Sequence, residues 1–339
     1  MKPIYAAFFF LAFAVSAFAQ NRLVLGGRAV IMVADAVYLF PGAGEKVIAI
    51  AGADQGLGSF LSVIDPGYIN KPVLDRNAGV EAYAALKPDT IILKSTMKKS
   101  LGPNLDALGL RQLYVDLETP EDYYRDLRRL GSFLGAQGRG EEIVGYYQEK
   151  VRSVQRTVRI QGQVEGQGQN PQSLPKVLLV QGGSSVQGAF EAPPASWMQT
   201  KLVEMAGGTP VWTKANPGAG WASINAEQIV AWNPDYVFVV DYRSDSRLAA
   251  RAFAAQPALG GVEAVKKGRV FGFPQDYYSW DQPDVRWILG LEWLARKLYP
   301  QEFAGSSMMD SAQEFFRFMY RMDKNTFDQA ILPRLAGDF

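Results

Sequence analysis

The chain has no cysteine and no histidine in its 339 residues. The first absence excludes disulfides, thiolate nucleophiles, zinc fingers and iron–sulfur ligation. The second removes the commonest general base and the commonest transition-metal ligand. Net charge of either sign is also missing: 35 Lys and Arg stand against 34 Asp and Glu, a formal charge of +1. Such a balance offers no strong field for phosphate backbones or anionic lipid, so nucleic acid is not an expected partner. Beyond residue 18 no segment is apolar enough to span a bilayer. What is present is 48% hydrophobic and 12% aromatic residues, ample for packed cores, over a length that suggests about two domains.

The N-terminus carries Lys2, an apolar run from Ile4 to Phe18, and Ala17 and Ala19 flanking Phe18, the A-x-A pattern of a signal-peptidase site. Residues 1–19 read as a cleaved secretory signal, too short for the ~20 residues that a spanning helix needs. With no cysteine there is no acceptor for a lipid anchor, so export is expected to deliver a soluble protein that is not a lipoprotein. Loss of Lys2 leaves 34 basic residues (35 − 1) against 34 acidic ones.

An internal repeat divides the sequence. Glu81-Ala82-Tyr83-Ala84-Ala85-Leu86-Lys87-Pro88-Asp89 precedes the apolar run Thr90 to Leu93, and Glu227-Gln228-Ile229-Val230-Ala231-Trp232-Asn233-Pro234-Asp235 precedes Tyr236 to Val240. Each reads as a short helix with a glutamate in its first turn, stopped before a proline, then a turn and a buried strand. Around the repeat, strands are expected at Lys46–Ala51, Gln112–Asp116, Lys176–Gln181 and Arg269–Phe273. Helices are expected at Gln55–Val63, Leu101–Leu108, Pro120–Leu134, Ser196–Ala206 and Pro283–Leu298. That alternation predicts parallel sheets covered by helices on both faces. A long helical pattern over about 140–160 ends in a Gln/Gly-rich stretch that reaches Pro175, and residues 301–339 read as short terminal helices. The domain reading is therefore a first lobe at 20–138, a connecting helix at 139–160, a flexible linker at 161–175 and a second lobe at 176–339.

At these residues the chain resembles the periplasmic solute-binding proteins of ABC importers, in the group that carries ferric siderophores, haem and cobalamin. The resemblance rests on Val80 to Leu93, Leu130 to Gly138, Lys201 to Gly208 (KLVEMAGG), Trp221 to Val240, Ala264 to Pro274 (AVKKGRVFGFP) and Pro283 to Pro300 (PDVRWILGLEWLARKLYP). It implies two doubly wound α/β lobes joined by one long rigid helix, ligand in the cleft between them, residence in the periplasm, and no catalysis. It also implies a partner, a permease dimer in the inner membrane. In the cobalamin-binding relative one glutamate on each lobe pairs with permease arginines, and the matching positions here are Glu81 and Glu227.

In open α/β sheets ligands sit outside the carboxyl ends of the strands, which nominates loops. Six residues before each repeated glutamate lie Asp75 and Trp221. The tryptophan follows Pro217-Gly218-Ala219-Gly220, a loop too small to bury an indole, and suits a flat or greasy chelate. Cobalamin binders carry tryptophan at both positions, so Asp75 departs from their pattern, and Arg76 beside it suits a negative ligand. Tyr277, Tyr278 and Trp280 fall in the loop before the Pro283 helix, where aromatics can stack on a ligand or donate to it. Lys94 and Arg243, each following a repeat strand, are expected to add positive charge to the rim, with Lys98, Lys99 and Arg247 nearby. The expected ligand is a metal chelate of siderophore or haem type. A molybdate- or tungstate-like oxyanion, or cobalamin, bound by the same fold is the alternative, and a secreted hydrolase built on Ser184 or Ser185 without histidine is a distant third. No resident cofactor or metal is expected, and the protein is expected to be a monomer.

Overall fold

The computed structural model describes residues 22–53, 58–164, 174–182 and 190–339. The expected leader, most of the Gln/Gly-rich stretch, Ser184 and Ser185 lie outside these residues, as does the start of the helix expected at Gln55–Val63.

The first sheet contains β1 (Leu23–Leu25), β2 (Val47–Ala51), β3 (Val73–Leu74), β4 (Thr90–Lys94) and β5 (Gln112–Val115) in the order β3-β2-β1-β4-β5, every pairing parallel. The second contains β6 (Lys176–Gln181), β7 (Phe190–Ala192), β8 (Thr209–Pro210), β9 (Ala222–Ile224), β10 (Tyr236–Val240) and β11 (Val270–Gly272). Its order is β11-β10-β6-β7-β9, with β8 also on β6. Read from its other end, β9-β7-β6-β10-β11 has the layout of the first sheet, except that β7 runs antiparallel to both neighbours. The near-continuous apolar runs of β4 and β10 follow from burial on both faces, as parallel sheets require.

The sequence repeat has a structural cause. Asp89 accepts the backbone N–H of Arg22, just ahead of β1, and Asp235 accepts that of Lys176, at the start of β6. In each lobe the same basic side chain caps the preceding helix: Arg22 donates to the carbonyls of Leu86 and Lys87, Lys176 to that of Trp232. The residue before each proline, Lys87 or Asn233, sits in the left-handed region at φ 47° or 44°. The P-D pair thus ties a helix end to the beginning of a central strand, at or just before its first residue.

Helices α1 (Val30–Val37), α2 (Val80–Ala85), α3 (Lys98–Ala107) and α4 (Pro120–Leu134) cover the first sheet. Thr119 caps α4, accepting the Asp122 N–H at 3.2 Å, with Pro120 at the first turn. The connecting helix α5 (Gln137–Val164) leaves α4 after Gly135, a left-handed cap. A Cβ on Gly131 would come within 3.3 Å of the Gly140 Cα, so α4 and α5 cross at a close contact where a side chain would crowd the facing backbone. In the second lobe α6 (Met198–Met205), α7 (Ala226–Trp232), α8 (Ser246–Ala254) and α9 (Trp287–Leu298) surround the sheet, and α10 (Met308–Tyr320) follows.

The lobes meet in a dense seam. Tyr147 of α5 stacks on Trp287 at 4.9 Å and 7°, and its hydroxyl donates to the Val285 carbonyl at 2.6 Å. Tyr123 of α4 donates to the Pro283 carbonyl at 2.8 Å. Phe60 of the first lobe touches Tyr277, Phe316 and Tyr320. Helix α10 therefore serves both lobes, with Tyr320 donating to the Asp35 carbonyl and Arg139 taking the carbonyls of Phe318 and Met319.

Candidate functional site

Asn216 is buried and donates to the carbonyls of Ala192 and Gly220, each at 2.8 Å, while accepting the Gly218 N–H at 3.1 Å. These bonds pin the glycine-rich loop to β7 and set Trp221 half-buried at the start of β9. Two further aromatics join it. Trp197, the cap residue of α6, lies 6.0 Å from Trp221 at 85°, and Tyr242, just past the carboxyl end of β10, lies 6.2 Å away at 63°. All three rings are partly exposed, a size and polarity that suit an organic or macrocyclic face.

Behind the rings stands a buried acid. Asp281 accepts from the Tyr242 hydroxyl at 2.7 Å, Gln199 Nε2 at 3.1 Å and the Ser279 hydroxyl at 2.5 Å. Burial pushes the Asp281 carboxyl above its ordinary range even though these donors oppose the shift. Burial, followed by the charge of Asp281, likewise raises the Tyr242 phenol, so Tyr242 presents a neutral ring. Asp241, next in the loop, holds the N–H groups of Arg243 and Ser244, leaving the Arg243 side chain exposed.

The other expected loop residues are placed differently. Tyr277, Tyr278 and Trp280 are buried, not open to a cleft. Asp276 gathers them, accepting from the N–H of Tyr277 and from Trp280 Nε1, and Tyr277 and Tyr278 pack into the lobe seam against Phe60 and Arg286. Lys94 is not a rim cation: it is buried, pairs with Glu118 at 2.6 Å and donates to the carbonyls of Asp116 and Leu117. Three groups around one ammonium offset its desolvation. Asp75 and Arg76 are exposed in the loop after β3, with Asp75 taking the Asn77 N–H in a local turn.

Glu81 and Glu227 are exposed in the first turns of α2 and α7. Both helices follow the carboxyl end of an edge strand, β3 or β9, in the matching place of the two sheets. Among the described residues no group of three or more acidic side chains is arranged to hold a metal ion. Trp197 and Tyr242 were missed by sequence reasoning. Position just after a strand was a usable signal for Tyr242, whereas nothing local marks Trp197.

A family profile described as "Periplasmic binding protein" matches residues 65–277. An uncharacterized ABC transporter substrate-binding lipoprotein, YvrC of Bacillus subtilis, is 24% identical over 276 residues, 79% of this chain and 80% of that one. The molybdate-binding protein MolA of Haemophilus influenzae is 28% identical over 109 residues, 31% of this chain and 30% of that one. The Fe(3+) dicitrate-binding periplasmic protein FecB of Escherichia coli is 29% identical over 170 residues, 49% of this chain and 50% of that one. Among solved structures, a periplasmic solute binding protein from Veillonella parvula superposes with a TM-score of 0.70 at 20% identity, covering 92% of each chain.

Proposed function

This chain belongs to the periplasmic binding protein family, and on that premise we propose that it is the substrate-binding component of an ABC importer that captures an iron chelate of siderophore or haem type. The observation that carries the ligand class is the platform of Trp197, Trp221 and Tyr242, three half-exposed rings held by Asn216 and Asp281. Its wide apolar faces fit a chelate better than a small tetrahedral ion, which needs converging donors. A sequence with no cysteine or histidine also favours a metal arriving already wrapped over a bare transition ion. The partial similarity to FecB supports iron. That to MolA supports an oxyanion, toward which the exposed Arg76 and Arg243 would add positive charge.

Delivery would use Glu81 and Glu227 as two equivalent negative points against a two-fold permease. The N-terminal segment would act as a signal cleaved after Ala19, leaving the protein free in the periplasm. The test is the visible absorption spectrum and metal content of protein purified from its source without refolding. Iron with visible absorbance supports a ferric chelate or haem; colourless protein carrying molybdenum or tungsten would overturn that choice.

A further inference from the structure

Separate from the ring platform, the lobe seam holds a charge cluster. One guanidinium, Arg286, lies among three carboxyls, Asp35 from α1 of the first lobe and Asp276 and Asp284 from the second, and all four side chains are buried. Fully ionised, the group would carry two net negative charges (1 − 3) out of water, an arrangement that protein interiors penalise heavily.

The three carboxyls are not equivalent. Asp276 receives Arg286 Nε at 2.8 and 2.9 Å, the Tyr277 N–H at 2.5 Å and Trp280 Nε1 at 3.0 Å. Asp284 receives Arg286 Nη1 at 2.9 Å and the Arg286 N–H at 3.1 Å. The Asp35 side chain receives Arg286 Nη1 at 2.5 Å through Oδ2. Asp35 Oδ1 and Asp284 Oδ2 are buried with no partner among the described residues. Because one nitrogen, Nη1, serves both carboxyls, they stand close enough to act on each other directly.

We propose that Asp35 and Asp284 share one proton across the seam, making it a latch that is shut while the pair holds the proton and loosens when the proton leaves. A shared proton gives each carboxyl a partner and removes one of the two excess charges. In support, burial first and the charge of Asp284 second hold the Asp35 carboxyl well above the ordinary range. Burial opposes the charge on Arg286, but Asp276, Asp284 and Asp35 outweigh it and keep the guanidinium charged. The remaining groups facing the cluster are phenols: Tyr278 of the same loop, Tyr320 of α10, Tyr147 of α5 and Tyr123 of α4, the last also facing Glu118. Burial raises all four, so they stay neutral.

The sign follows from linkage. A carboxyl raised in the folded state binds a proton that the unfolded chain releases. Its stabilisation is complete below the ordinary carboxyl range and is lost as pH rises toward the raised value. Within that window the folding constant falls about tenfold per pH unit. Losing the proton sets two adjacent carboxylates from opposite lobes against each other, which parts the seam.

Because the chain has no cysteine, Leu108→Cys and Leu248→Cys would supply its only thiols, both at exposed positions and one on each lobe. Spin labels there report the distance between lobes, and urea titration of the whole protein reports stability, each followed from about pH 5 to 9. We expect the distance distribution to broaden and the folding constant to fall with rising pH, and both changes to disappear in Asp35→Asn. Asp284→Asn removes the charge that holds the proton on Asp35, so its transition should move to lower pH, a readout that survives if Asp35→Asn does not fold. Wild type with a pH-independent distance and stability would overturn the latch. So would an Asp35→Asn curve that superposes on wild type, or an Asp284→Asn transition that does not move.

Discussion

Phe60→Ala probes the seam as a packing unit. The ring is fully buried and has four large neighbours: Tyr320 at 4.8 Å, Tyr277 and Phe316 at 5.8 Å each, and the Arg286 guanidinium at 4.3 Å. Deleting a buried phenylalanine costs about 3–5 kcal/mol, the lost transfer energy plus the cavity left behind. The upper half of that range is expected, for two reasons. Edge-to-face pairs add about 0.5–1.5 kcal/mol each beyond burial. The site also cannot collapse, since its walls come from the first lobe, the Asp276–Trp280 loop and α10, each fixed by its own bonds. Urea unfolding followed by tryptophan fluorescence measures the loss, with Phe60→Leu as a control that refills most of the volume and should be markedly milder. A loss within the ~0.5 kcal/mol typical of surface substitutions would refute the view that this ring helps to bind the lobes together.

Two more outcomes follow from the same architecture. Reversing both exposed glutamates, Glu81→Lys with Glu227→Lys, should leave ligand affinity nearly unchanged in solution while abolishing uptake in cells; loss of ligand binding would show that these side chains face the ligand instead. Since α5 and the seam both join the lobes, ligand should change the radius of gyration only slightly, and a contraction of several ångströms in small-angle scattering would contradict that connection.

Much of the fold was legible because its long elements carry strong patterns. Helix α4 occupies the expected Pro120–Leu134 and β6 the expected Lys176–Gln181, where a proline start or an unbroken apolar run gives a clear boundary. Strand β1 was not legible, although it is the centre of the first sheet. Three residues, Leu23–Leu25, give too short a run to set a period. The same holds for β7 and β9, whose antiparallel pairing depends on partners far along the chain. Helix α9 begins at Trp287 and not at Pro283, because Asp284 turns back to accept the Arg286 N–H and joins the seam.

Legibility of the candidate site was more uneven. Trp221 stood out because its glycine-rich loop offered nothing to cover an indole. Tyr277, Tyr278 and Trp280 looked equally open, yet much of their cover comes from far along the chain: Phe60 and the Ala330 carbonyl meet Tyr277, and the ring of Phe339 meets Trp280. Lys94 reads as a loop cation until Glu118 and two carbonyls after β5 are seen to surround it. Local sequence signals exposure only when no distant segment arrives to bury the residue.

The central claim, that the ring platform of the second lobe holds the ligand, is tested most directly by titrating the isolated chelate into wild type, Trp221→Phe and Trp221→Ala while recording tryptophan fluorescence and affinity. With seven tryptophans present, the part of the quench missing in Trp221→Phe is the signal of that residue. A ferric chelate or haem should quench it strongly, and Trp221→Ala should weaken binding by about 1–3 kcal/mol, taking base–aromatic stacking as the guide. Unchanged affinity in Trp221→Ala, with circular dichroism showing an intact fold, would contradict the claim.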